Sequence, residues 1–277
     1  MSENKESQVI LFPDYQALKQ EVEKLRTEVS MLLQEKDELR YTICKNIEME
    51  YMLKIGGLEY RAYQAQCEVK RLKRKMEMLQ AAVNRQEKAD LTKIEKQLDQ
   101  EFAQYQRNLD EQMRKMNEAL KRKDARMLSK EETKELKKLY HSIVKALHPD
   151  LNPDITDTQK QLFENAVNAY KSGDLEALRA IYLMVGEPVD TSAGEGAPKA
   201  DAIKALTKEK DRLTKCLQSL QEDIAEIKSK YPYTMKEILE DEEKTEAKKE
   251  ELNRILKKYE EMAENYRLRI DQLIRQI

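Results

Sequence analysis

The sequence holds two histidines, His141 and His148, and three cysteines, Cys44, Cys67 and Cys216. Two imidazoles about two helical turns apart can share a metal, but a closed zinc site needs a third and fourth nitrogen or sulfur ligand. No cysteine and no further histidine lies near them in the chain, so no metal site is expected. The cysteines show neither metal-ligand spacing nor a disulfide framework and read as reduced thiols. Cys216 falls within a heptad helix and no histidine follows it, which leaves a nucleophilic thiol without a base. Gly56 and Gly57 are not followed by the glycine and lysine-serine pattern of a phosphate-binding loop. The chain therefore reads as a non-enzyme without a cofactor. What remains is the turn His148-Pro149-Asp150, continued by Leu151-Asn152-Pro153, which offers an imidazole and a carboxylate on a proline-stiffened corner.

The elements that would hold this corner are marked by their ends. Ser129 with Glu132, and Thr156 with Gln159, fit capping boxes that open helices. Leu147 precedes a proline and closes the first of them. Gly173 stops the second as a left-handed cap, and Asp174 opens a third. Leu136, Leu139, Tyr140, Ile143, Val144 and Leu147 make one apolar stripe, and Leu162, Phe163, Ala166, Val167, Ala169 and Tyr170 make the next. Lys134, Lys137, Lys138, His141 and Lys145 lie largely off the first stripe. Residues 128–187 are thus expected to be two antiparallel helices and a short third around a small core.

On these residues the block resembles a J domain, the co-chaperone module of the DnaJ family. The family's signature, His-Pro-Asp between its second and third helices, stands here as His148, Pro149 and Asp150, with Asn152 and Pro153 matching the usual continuation. Tyr140 lies eight residues before the histidine, and Phe163, Ala166, Ala169 and Tyr170 reproduce the family's third-helix spacing. The resemblance covers about a fifth of the chain. It implies binding to a DnaK-type ATPase chaperone and stimulation of its ATP hydrolysis. His148 and Asp150 would be the essential side chains, Pro149 would fix the loop, and Lys134, Lys137, Lys138, His141, Lys145 and Asn152 would belong to the chaperone-binding face. Three features depart from the family. Its first-helix signature is missing, and the segment 98–127 is expected in that place. His141 and Ser142 replace basic residues, and Leu151 replaces the usual lysine or arginine.

The rest of the chain reads as long helices. It is 38% charged with 6 Gly, 6 Pro, no Trp and 3 Phe in 277 residues, too few large apolar groups for one big core. Residues 1–13 are expected to be disordered. From 14 to 127 the pattern is coiled coil, with phase changes near 44–57 and 84–90; unbroken, it would be on the order of 170 Å long, and a fold-back at 84–90 would make it a hairpin. Val22, Val29, Lys36 and Ile43 at a, with Leu18, Leu25, Leu32 and Leu39 at d, favour a two-stranded parallel coil. Glu21 and Glu35 at g, and Arg26 and Arg40 at e, would pair across it. A homodimer through this seam is the expectation; packing on another helix of the same chain is the alternative. Pro188 and Pro198 bracket a flexible linker at 188–200. Residues 201–277, split by Pro232, are expected to form an antiparallel helical hairpin.

Lys and Arg number 51 against 53 Asp and Glu, so no basic excess points to nucleic acid. The polar start and the lack of an apolar run near 18 residues point away from a signal peptide and a membrane span, and a cytoplasmic protein is expected. The fold expected is all-α, and the function that of a co-chaperone recruiting a DnaK-type ATPase to an unknown client or scaffold. The alternative is a coiled-coil scaffold in which the J-like block only packs.

Overall fold

The computed structural model describes residues 13–124, 128–185 and 199–276. Residues 1–12 of the expected disordered start and nearly all of the expected linker lie outside these residues, while Pro13 opens a helix. Among the described residues every regular element is a helix. The chain divides into two helical units, residues 1–44 with 127–231 and residues 45–126 with 232–277.

Helical conformation runs without a break from Pro13 to Asn84. α1 is Pro13–Glu38, α2 is Cys44–Tyr51 and α3 is Gly57–Asn84. Between them lie two π-helical turns, Leu39–Ile43 and Met52–Gly56. The phase change expected near 44–57 is therefore neither a break nor a loop. A π-turn carries one extra residue, and each extra residue rotates the following apolar face by about 100°. Gly56 belongs to the second π-turn, where a Cβ would meet Met52 Sδ at 2.9 Å.

In the first unit α1 runs beside α8, Lys199–Ser229. The two are parallel, since Glu21 pairs with Lys210 at 2.7 Å and Glu35 with Lys228 at 2.7 Å. Arg26 meets Glu209 at 3.1 Å, and Lys36, the polar a residue, meets Asp223 at 2.5 Å. Val22 and Val29 are buried with Leu213 and Leu220, while Leu25 and Leu32 pack partly buried against the same core. Along this face of α1 the parallel neighbour is therefore α8 of the same chain. The seam assigned to a second copy is occupied by α8, whose own heptad has the same Leu-rich pattern and the complementary flanking charges.

α5 (Lys130–Leu147), α6 (Asp157–Ser172) and α7 (Leu175–Val185) complete this unit. Both capping boxes are formed: Ser129 accepts from the Glu132 N–H, Thr156 accepts from the Gln159 N–H, and each partner side chain returns to the cap's own N–H. Gly173 closes α6 at φ 70°, a left-handed conformation that costs glycine least. Leu136, Tyr140, Ile143, Val144, Leu147, Ala166, Ala169 and Tyr170 are buried in one core, with Phe163 partly buried against it. That core continues into α1 through Val22, Val29 and Leu33. α1 is therefore two-faced. Its a and d positions serve α8, and its b and e positions, among them Leu33 and Asp37, serve the α5–α7 block.

In the second unit α4 (Leu91–Asp124) folds back on α3 after a turn in which Gln86 takes a φ of 56°. Arg71 pairs with Glu95 at 2.6 Å and Asn108 donates to Tyr63 at 3.0 Å, which fixes an antiparallel hairpin at the turn the sequence marked. The described part of the segment 98–127 lies along α3 in the second unit, and the long helix packed against α5 in the first unit is α1. α10 (Glu242–Ile274) runs parallel to α3, with Arg61 near Glu260 and Glu68 bonded to Arg267. Leu79, Ile94, Leu98, Ile270 and Leu273 form the core there. The hairpin expected over 201–277 is accordingly not formed: α8 packs along α1 and α10 along α3. The turn between them carries a short 3-10 turn, Tyr233–Met235, and α9, Lys236–Glu240. A long apolar stripe specifies that a helix must be covered, not by which helix.

Candidate functional site

The site is the corner between α5 and α6. The two helices are antiparallel, because Tyr140 stacks on Tyr170 with centroids 4.0 Å apart and His148 meets Phe163 edge-on at 5.1 Å. His148 is the C-cap of α5: its backbone leaves the helix at ψ 129°, as the following proline demands, while its N–H still donates to the Val144 carbonyl at 2.9 Å. The His148 carbonyl accepts from the backbone N–H groups of Leu151 at 3.0 Å and Asn152 at 2.9 Å. The Asn152 side-chain amide donates to the Lys145 carbonyl at 3.0 Å, so orphan acceptors of the α5 C-terminus are satisfied inside the loop.

The histidine is an internal brace. Its side chain is only 16% exposed, and its Nδ1 accepts from the Asp150 backbone N–H at 3.1 Å. That bond requires an unprotonated Nδ1. Burial agrees, pushing the imidazole below its ordinary pKa, against the opposing pull of the Asp150 and Asp37 carboxylates. Pro149 and Asp150 face outward, and the Asp150 side chain is 53% exposed. The loop thus holds its backbone from within and presents one carboxylate to solvent.

Beneath the loop, Tyr140 is fully buried and its hydroxyl donates to Asp37 of α1 at 2.6 Å. Burial raises the Asp37 pKa, and the Tyr140 hydrogen bond, His148, Lys36 and Arg40 act against that rise. Burial, with the Asp37 charge, likewise raises the Tyr140 phenol. The Tyr170 phenol is raised to about 12, chiefly by burial. Beside the loop stands α8. The Arg212 guanidinium donates to the Asp150 backbone carbonyl and is bound bidentately to Glu209 at 2.8 Å and 2.8 Å. Cys216, one turn further, lies close enough to Asp150 for the carboxylate to raise the thiol pKa after burial has done so.

The basic residues expected to face a chaperone divide into two groups. Lys134, Lys138 and Lys145 are exposed. Lys137 is bonded to Glu38 of α1, Asn152 holds the loop, and His141 is half-buried, its pKa lowered by burial and then by Lys145. Leu151 is 3% exposed and part of the core. Sequence reasoning missed Asp37, Arg212, Cys216 and the burial of Leu151. Only the apolar type of Leu151 signalled its role; the other three come from helices more than 60 residues away in the chain. Among the described residues no three His, Cys, Asp or Glu side chains converge to hold a metal ion. No helix of the described residues is long and apolar enough to cross a membrane.

Comparison with known proteins returns no match: no family model, no curated protein and no solved structure aligns with this chain.

Proposed function

We propose that this chain is a non-enzymatic co-chaperone that recruits a DnaK-type ATPase through His148-Pro149-Asp150 and accelerates its ATP hydrolysis. The observation that carries the reading is the division of labour in the loop. His148 is spent on bracing the backbone, while Asp150 is offered to solvent on a corner that needs little further ordering to bind. Antiparallel helices of matching register and the Tyr140–Tyr170 stack support the same assignment. Fold alone does not give function, and the reading rests on the site.

The scaffold reading has one observation in its favour: α1 and α8 bury one side of the block, which is how a mere packing module would be held. The surrounding helices are proposed to place the co-chaperone at a client or scaffold protein. Because the α1 seam is filled by α8, a homodimer would need a different surface or displacement of α8. Co-purification separates the readings. Purified DnaK in its ATP state is expected to be retained by the immobilised wild-type chain and lost with His148→Gln, which removes the ring that braces Asp150. Equal retention by both favours the scaffold.

A further inference from the structure

We propose that α8 forms a second wall of the chaperone-facing surface, one that matches a negatively charged partner and supplies cations the α5 face lacks. This inference rests on the co-chaperone reading above. On α5 Lys137 is bonded to Glu38, and in the loop that follows Leu151 is buried and offers no charge. α8 meets the same loop from the other side. Arg212 holds the Asp150 carbonyl.

Helical geometry places Lys208, four residues before Arg212, and Lys215, three after it, on the side of α8 adjoining that contact. Both are exposed and neither has an ion-pair partner among the described residues. The acids of the same stretch are Glu209, bound by Arg26 and Arg212, and Asp211. On α5, no acid occurs between Leu136 and Leu147, and Lys138 and Lys145 are exposed. Asp150 is therefore an exposed carboxylate just beyond the Lys145 end of α5, with Arg212 of α8 on its backbone carbonyl. An acidic patch on the ATPase would engage both helices while its own cation receives Asp150. Arg212 ties the two walls, because it binds the loop and the α8 side chain Glu209 together.

The test uses the full chain and purified DnaK, reading single-turnover ATP hydrolysis against chain concentration. Lys208→Glu/Lys215→Glu is expected to raise the half-maximal concentration about tenfold at low salt. The difference should shrink to about twofold near 0.5 M salt, as screening shortens. The neutral pair Lys208→Gln/Lys215→Gln, which adds no repulsion, should show a smaller shift of about threefold. Lys257→Glu/Lys258→Glu on α10 should match wild type. If wild type accelerates hydrolysis and Asp150→Asn does not, yet all the lysine variants match wild type, the α8 surface is refuted and the co-chaperone reading stands. An equal loss from the α10 pair also refutes a local surface. If wild type gives no acceleration, both ideas fall.

Discussion

Tyr140→Phe isolates the bond that ties α1 to the α5–α7 block. The ring is fully buried and stacks on Tyr170, so phenylalanine keeps its volume and its stack and leaves no cavity. What is lost is one hydroxyl donating at 2.6 Å to the Asp37 carboxylate. Hydrogen bonds to charged groups contribute about 1.5–3 kcal/mol, and the carboxylate left behind is mostly desolvated. The expected cost is therefore about 2 kcal/mol, close to a 30-fold fall in the local closing equilibrium. Hydrogen exchange read on peptides of α5 and α6 measures that equilibrium directly. Asp37→Ala and the double variant complete a cycle, in which a coupling of about 1.5–3 kcal/mol is expected. Protection unchanged in Tyr140→Phe, or strict additivity in the cycle, would refute the idea that Asp37 and Tyr140 act as a pair.

Three further outcomes follow from the same packing. Asp37 has a folded pKa above its unfolded one, so the folded state holds its proton more tightly. Its contribution is most favourable at low pH and is lost as pH rises from the ordinary carboxylate range through the folded value. Relative to Asp37→Asn, wild type should therefore lose stability as pH rises above the ordinary carboxylate pKa of about 4, as read by urea unfolding; a gain on that rise would contradict the burial. Leu151→Lys should destabilise by at least about 2 kcal/mol, since a 3%-exposed core position would have to take an ammonium. Leu213→Ala should cost about 2–5 kcal/mol, because Leu213 is fully buried in the core shared by α1 and α8. A loss under about 1 kcal/mol would mean that α1 is covered by something other than α8.

Local chemistry was legible in the sequence. The capping boxes at Ser129 and Thr156, the left-handed Gly173 and the turn after Asn84 are each decided by a few adjacent residues, and each stands where the side-chain types put it. The core stripes of α5 and α6 were readable for the same reason. Pairing was not. A seam of Val22, Val29 and leucines with Glu and Arg on its flanks suits a second copy and α8 alike, because heptads encode parallel two-stranded packing without naming the strand. The position of Asp37 one residue after the a residue Lys36 reads as solvent, and only docking of α5 buries it. The turn after α5 was legible from Pro149, but the opposite fates of the His148 and Asp150 side chains depend on Phe163 and on the Asp150 N–H, which no spacing reveals.

The most direct measurement is the rate of a single turnover of ATP by DnaK, with saturating wild-type chain and with Asp150→Asn. Asparagine keeps the shape of the half-exposed side chain and, with the backbone N–H still bonded to His148, leaves the loop closed. Acceleration by wild type, and a basal rate with Asp150→Asn that folds and melts like wild type, is the predicted result. Identical rates for the two proteins, accelerated or not, would contradict the claim that this carboxylate acts on an ATPase.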